Sequence, residues 1–227
     1  MTAEVFSLAA CLVAVLAATV AFVPRDATRR TRLATGAVAV TLALIPVGGW
    51  TLPRWLAGLG AVPSASSVAL LAAFVWARVI GWDVLDARAW RTAWCFFGAA
   101  AVVLYPMALG LGRLDPYALG WGATWMLGVL WAISVGLVWR QNRFALVLAV
   151  AVLAFDLRLL ESTNLWDYLI DPPLAAVSLS VLATAGVHRL RRWRTRTASD
   201  PGGEDPGIAA RGSADGSWIA KAEGRNP

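Results

Sequence analysis

Seven apolar stretches run along the chain, at residues 5–23, 33–50, 64–82, 92–112, 118–139, 144–160 and 172–188, with short polar or basic segments between them. Each is close to the roughly 20 apolar residues that a helix needs to cross a bilayer. The pattern predicts an all-α fold, a polytopic transmembrane helix bundle of about seven spans over residues 1–194. From 195 to 227 the sequence turns to Gly, Asp, Ser, Pro and Arg, with too few apolar side chains to order itself, and reads as a disordered tail. Two places depart from the pattern. Residues 52–63, LPRWLAGLGAVP, are apolar but too short to cross, so they are either interfacial or part of a broken third span. Pro46, Gly48 and Gly49 in the second stretch are expected to loosen or end that helix, because proline removes a donor and clashes with the preceding turn.

Composition points the same way. The 227 residues are 59% hydrophobic and 15% charged, whereas ordinary soluble chains carry about a quarter charged residues. Seven spans leave no room for a large soluble catalytic domain. The formal charge of +6 does not imply nucleic acid here, because the basic residues lie in short runs beside the spans. Of those basic residues only Lys221 is a lysine, the usage of an Arg-favouring, bacterial genome.

With alternating sides, one set of connections holds Arg25, Arg29, Arg30, Arg32, Arg88, Arg91, Arg140, Arg143 and the cluster Arg189, Arg191, Arg192, Arg194 and Arg196. The other holds Arg54, Arg113 and Arg158. Cytoplasmic loops retain Lys and Arg, so the expected orientation is amino end out and carboxyl end in, in a bacterial inner (cytoplasmic) membrane. Trp50, Trp55, Trp121 and Trp166 then fall at the outer interface, and Trp82, Trp90, Trp94, Trp139 and Trp193 at the inner one, as aromatic belts. The cluster from Arg189 to Arg196 is expected to rest on anionic lipid. Leu8 to Cys11 spell a lipoprotein cleavage tetrapeptide, but no basic residue precedes it, and the stretch reads as a span holding an inert thiol.

The sixth span carries the first candidate chemistry. Phe144 to Phe155 is wholly apolar and would cover about 18 Å as a helix, short of a hydrocarbon core of about 30 Å. A continuing helix would leave Asp156 inside the outer leaflet, where a charge demands a polar partner. Tyr105, Thr124 and Ser178 come to a similar depth on other spans, and Arg158 can meet Glu161 at i+3. These six residues form a candidate polar pocket; in the alternative, the helix simply ends there and Asp156 is interfacial.

Further along, residues 161–171 combine three carboxylates with two aromatics, a composition that predicts a short helix lying on the membrane or capping the bundle, with Pro172 and Pro173 starting the last span. Asp115, Tyr117, Trp166, Asp167, Tyr168 and Asp171 make a candidate exported surface. For helix packing, Gly120, Gly128, Ala132 and Gly136 recur on one side of the fifth span, a small-residue stripe of the kind that admits a neighbouring helix.

No metal or cofactor is expected: His188 is the lone histidine, and P-loop, GxGxxG, HExxH and GxSxG motifs are missing. The leading expectation is a non-catalytic accessory or assembly subunit that contacts another membrane protein through its exported loops. Two alternatives are a small permease using Asp156 and a membrane-embedded transferase acting on a lipid-linked substrate.

Overall fold

The protein was analysed as a computed structural model that describes residues 2–60, 62–111, 115–122 and 124–198, with no side-chain description from 195 onward. The expected tail therefore lies outside the described residues, apart from the helical backbone of 195–198, and so do Arg113 and the side chain of Arg196. The described residues are all-helical, with no strand. Seven long helices stand where the seven apolar stretches were read. They are α1 (Thr2–Ala21), α2 (Arg29–Leu44), α4 (Ala65–Ile80), α5 (Ala87–Ala108), α6 (Thr124–Trp139), α7 (Phe144–Asp156) and α9 (Pro172–Ala198); two short helices, α3 (Leu52–Gly58) and α8 (Leu165–Leu169), lie between them. Three stretches, Thr2–Ala21, Ala87–Ala108 and Pro172–Arg194, are long and apolar enough to cross a membrane, and α4, α6 and α7 are shorter apolar helices.

Local chemistry sets most of the helix starts. Thr28, Ser64 and Asp86 each sit in extended backbone, and each side chain accepts from the N–H three residues on, which satisfies one of the orphan donors of a helix start. The ends are equally specific. α2 stops at Leu44 instead of running on to residue 50, because Pro46 cannot continue it and Gly48 and Gly49, at φ 62° and 86°, turn the chain back so that Val47 and Trp50 pair. Leu52–Gly58 forms a separate short helix, α3, and does not extend α4, which opens only after Pro63.

α7 ends at Asp156 with Arg158 in left-handed backbone (φ 50°). Arg158 N donates to Phe155 O and Leu159 N to Ala154 O, a Schellman closure. α6 closes in the same way through Gln141 at φ 53°, with Gln141 N on Val138 O and Asn142 N on Leu137 O.

The chain divides into two compact units, residues 1–182 and 183–227. In the first, α4 and α7 are the central helices: α1 packs on α2, α3 and α4, while α5, α6 and α8 pack on α7. Small residues allow the close approach. Ala89, Ala93, Phe97 and Ala101 recur every four residues along the buried side of α5, and Ala145, Ala151 and Ala154 do the same work on α7. Phe96, Phe97 and Phe144 interlock with ring centroids 5.2–5.6 Å apart.

Gly98 lies close under Leu182: a Cβ there would run into Leu182 Cδ1 and force that side chain to turn away. Many large apolar residues face outward, Trp131 at 71% and Trp139 at 87% exposure among them, which suits a surface solvated by lipid. In the second unit the described residues continue the helix to Ala198, and His188, Arg189, Arg191, Arg192 and Arg194 are exposed on it.

Candidate functional site

Two sets of connections gather at opposite ends of the first unit. At one end arginines close helices from outside. Arg78 Nη2 donates to Val23 O at 2.5 Å and to Val20 O at 3.4 Å, beyond and within the last turn of α1. Arg32 Nη1 donates to Arg78 O at 2.7 Å near the close of α4, and Arg88 Nη1 donates to Arg140 O at 3.2 Å just past α6. Each cation meets carbonyls at the negative end of a helix dipole.

At the other end carboxylates do the opposite work. Asp171 is 7% exposed and accepts from the starts of two helices at once. Its Oδ1 takes Leu174 N at 2.7 Å in α9; its Oδ2 takes Ser64 N at 2.7 Å and Ser67 Oγ at 2.5 Å at the head of α4. Two positive helix ends therefore converge on a single buried charge.

Beside it, residues 157–171 fold into a cap. Tyr168 is fully buried and its hydroxyl bonds Leu160 N, Leu160 O and Ser162 O, while its ring stands edge-on to Phe155 at 5.2 Å. Asp167 accepts from Ser162 Oγ and from the Tyr117 hydroxyl at 3.0 and 3.1 Å. Burial first, then the hydrogen bond to Asp167 and its charge, push the Tyr117 phenol up to about 12. Burial raises the Tyr168 phenol as well. Asn164, also fully buried, donates to Tyr117 O at 3.0 Å, and Trp166 Nε1 donates to Pro116 O at 2.8 Å. Gly120 sits under this contact: a Cβ there would run into Asn164 Oδ1 and come within 2.7 Å of Trp166 Cδ1.

Two cavities meet at Asp171. A cleft of about 550 Å³ is bordered by Glu4 and Ser7 of α1, Trp50, Arg54 of α3, and Glu161, Ser162, Asp167 and Asp171. A groove of about 610 Å³ runs between α4, α5 and α9 and is lined by Leu70, Phe74, Trp90, Trp94, Leu174 and Val177, among others. Gly60, Val62, Asp171 and Pro172 border both. Both volumes fall in the range of about 300–1,000 Å³ typical of small-molecule sites. No protein-family model, curated protein or solved structure matches this chain.

The polar residues read from the sequence are gathered differently from the expected pocket. Asp156 and Arg158 are exposed at the end of α7, and Asp156 makes no hydrogen bond or ion pair among the described residues. Thr124 is exposed at the start of α6, Tyr105 is half-buried on α5, and Ser178 is buried on α9 with an unpartnered hydroxyl. Glu161 lines the cleft without Asp156 or Arg158.

Of the residues expected on an exported surface, Asp115 is exposed and caps its own turn through Tyr117 N and Ala118 N, Tyr117, Trp166 and Asp167 are half-buried, and Tyr168 and Asp171 are interior. Of the stripe on the fifth span, Gly120 is a tight contact. Gly128 and Ala132 are exposed, and nothing stands within 4 Å of a Cβ at Gly128 or Gly136. Sequence reasoning missed the roles of Arg78, Arg32 and Ser67. For Ser67 a signal existed, since it stands three residues after the cap Ser64; for the arginines none did, because their partners lie on other helices.

Proposed function

We propose that this chain is a multi-pass protein of a bacterial inner membrane, with amino end out and carboxyl end in, serving as a non-catalytic accessory or assembly subunit. The observation that carries the reading is that the buried and half-buried polar groups at the Asp171 end are occupied, with the exposed Glu161 the exception. Asp167, Asp171, Asn164, Tyr117 and Tyr168 all close helix starts or pin two connections together, leaving the cap built for rigidity. A catalytic carboxylate would instead keep a lone pair turned toward its substrate.

The orientation is supported by the placement of the arginines, because Arg32, Arg78, Arg88, Arg140 and Arg143 gather at the end opposite Asp171. The contact surface for a partner helix is supported by α6. It packs chiefly on α7 and turns Trp125, Trp131, Gly128 and Ala132 outward, with open space above the glycine. Small residues beside large aromatics allow a second backbone to come close, and van der Waals contact is what joins helices in lipid.

The test is purification of the tagged full chain from its native membrane. A second membrane protein should copurify in stoichiometric amount and be lost on Gly128→Leu with Gly136→Leu, while the thermal unfolding of the chain itself is unchanged. Asp156→Asn should leave that partner in place. Retention of the partner by the leucine variant, or its loss with Asp156→Asn, contradicts the reading.

A further inference from the structure

We infer that the cleft and the groove together hold one zwitterionic, amine-bearing phospholipid, with its headgroup between α1, α3 and Glu161 and one acyl chain between α4, α5 and α9. The inference rests on the reading above that the helices cross a bilayer, since that is where such a lipid would be met.

Shape is the first argument. The polar cleft and the apolar groove share Gly60, Val62, Asp171 and Pro172, so a molecule lying in one can continue into the other. Along the groove wall, Ser67 to Phe74 cover about 10 Å of α4, running away from the Asp171 end. Trp90 and Trp94, stacked at 5.3 Å, line it near the opposite end of α5. An apolar groove lined by aromatic rings toward its far end and continuous with a charged cleft has the outline of an amphiphile.

The cleft's charges select the headgroup. Asp171 and Asp167 border it but are engaged by their own hydrogen bonds. Glu161 is exposed and makes no hydrogen bond or ion pair among the described residues. Arg54 and Glu4 stand 3.7 Å apart with most of each side chain in the open, and the Arg54 guanidinium lies 5.6 Å from the centre of the Trp50 ring. A phosphate finds its cation in Arg54, and an ammonium one bond chain away finds carboxylates in Glu161 and Glu4. A headgroup with phosphate and no amine would bring its negative charge beside four carboxylates and one arginine, and is disfavoured.

Photo-crosslinking of the purified full chain in nanodiscs tests this. The probe is phosphatidylethanolamine with a diazirine in one acyl chain; phosphatidylglycerol with the same chain is the control. Crosslinks to peptides holding Leu70–Phe74 and Trp90–Trp94 are expected with the amine probe, about tenfold above the glycerol probe, the weight of one charge-assisted hydrogen bond.

Glu161→Gln, at an exposed position, should remove that preference and spare the crosslinks to α6 made by surrounding lipid. Val177→Trp should fill the slot and abolish the groove crosslinks. The site is refuted if both probes label the groove equally, if Glu161→Gln keeps the tenfold preference, or if labelling is no greater in the groove than around Trp131 and Trp139. Maleimide accessibility of Thr163→Cys, read in vesicles, reports the membrane topology separately, so a failure of the topology is not mistaken for a failure of the site.

Discussion

Arg158 and Gln141 hold side chains in left-handed backbone that glycine would adopt freely, and in both the Schellman hydrogen bonds need only the main chain. Arg158→Gly is therefore expected to stabilise the protein by about 1 kcal/mol in detergent unfolding, with no change in the cap around Tyr168. A second residue-scale expectation concerns alkali. The Tyr117 phenol titrates near pH 10 when unfolded and near 12 when folded, so its neutral form supports the fold fully below about pH 10. That contribution is lost as the pH rises toward 12, because the unfolded chain gives up the proton first. Tyr117→Phe should accordingly flatten the fall of stability between pH 10 and 12, at the cost of the bond to Asp167 at every lower pH. An unchanged slope would deny the buried phenol its role. At this scale the caps Asp86 with Ala89 and Thr28 with Thr31 join near neighbours, yet hydropathy alone started those helices later, at residues 92 and 33, and passed over both. Asp156 shows the opposite case. Its depth was reckoned on a helix running through it, whereas the helix closes just beyond it by a main-chain motif that Arg158 does not advertise.

At the scale of elements, Asp171 joins α4 to α9 across 107 positions of sequence, and a carboxylate within a loop rich in them carries no mark of that reach. Replacing it with Ala removes the acceptor for two helix starts and leaves buried donors unsatisfied, a loss of about 2–4 kcal/mol by thermal or denaturant unfolding. Asp171→Asn keeps one carbonyl oxygen and should lose less; an equal loss in both variants would mean that volume, and not the acceptor, matters. Helix existence was legible almost throughout, because an apolar run expected to lie in lipid has to satisfy its own backbone. Helix packing was not. The stripe of Gly128, Ala132 and Gly136 was the more visible in sequence, yet the buried small-residue row lies on α5 at Ala89, Ala93 and Ala101, where glycine-poor spacing hid it among ordinary apolar residues. The fifth span likewise begins later than its hydropathy implies. Residues 118–120 form a single 3₁₀ turn held under Asn164, and α6 starts at Thr124.

Across the whole molecule the arginines serve two ends at once. Those that the hydropathy pattern assigned to one side of a membrane include Arg32 and Arg88, which close α4 and α6 through carbonyl contacts, each interaction worth about 0.3–1 kcal/mol at a helix end. Arg78 does the same for α1 from within an apolar helix. Charge asymmetry read from sequence thus mixes a membrane signal with a capping signal, and only the placement of the connections separates them. The central claim is that the Asp171 end faces outward and the Arg78 end faces the cytosol. With Cys11 and Cys95 replaced, single cysteines at Thr163 and at Gln141, both exposed and on opposite ends, should be distinguished by a membrane-impermeant maleimide applied to intact cells. Labelling of Thr163→Cys at once, and of Gln141→Cys only after permeabilisation, is the predicted result; the reverse order, or equal labelling of both before permeabilisation, would contradict it.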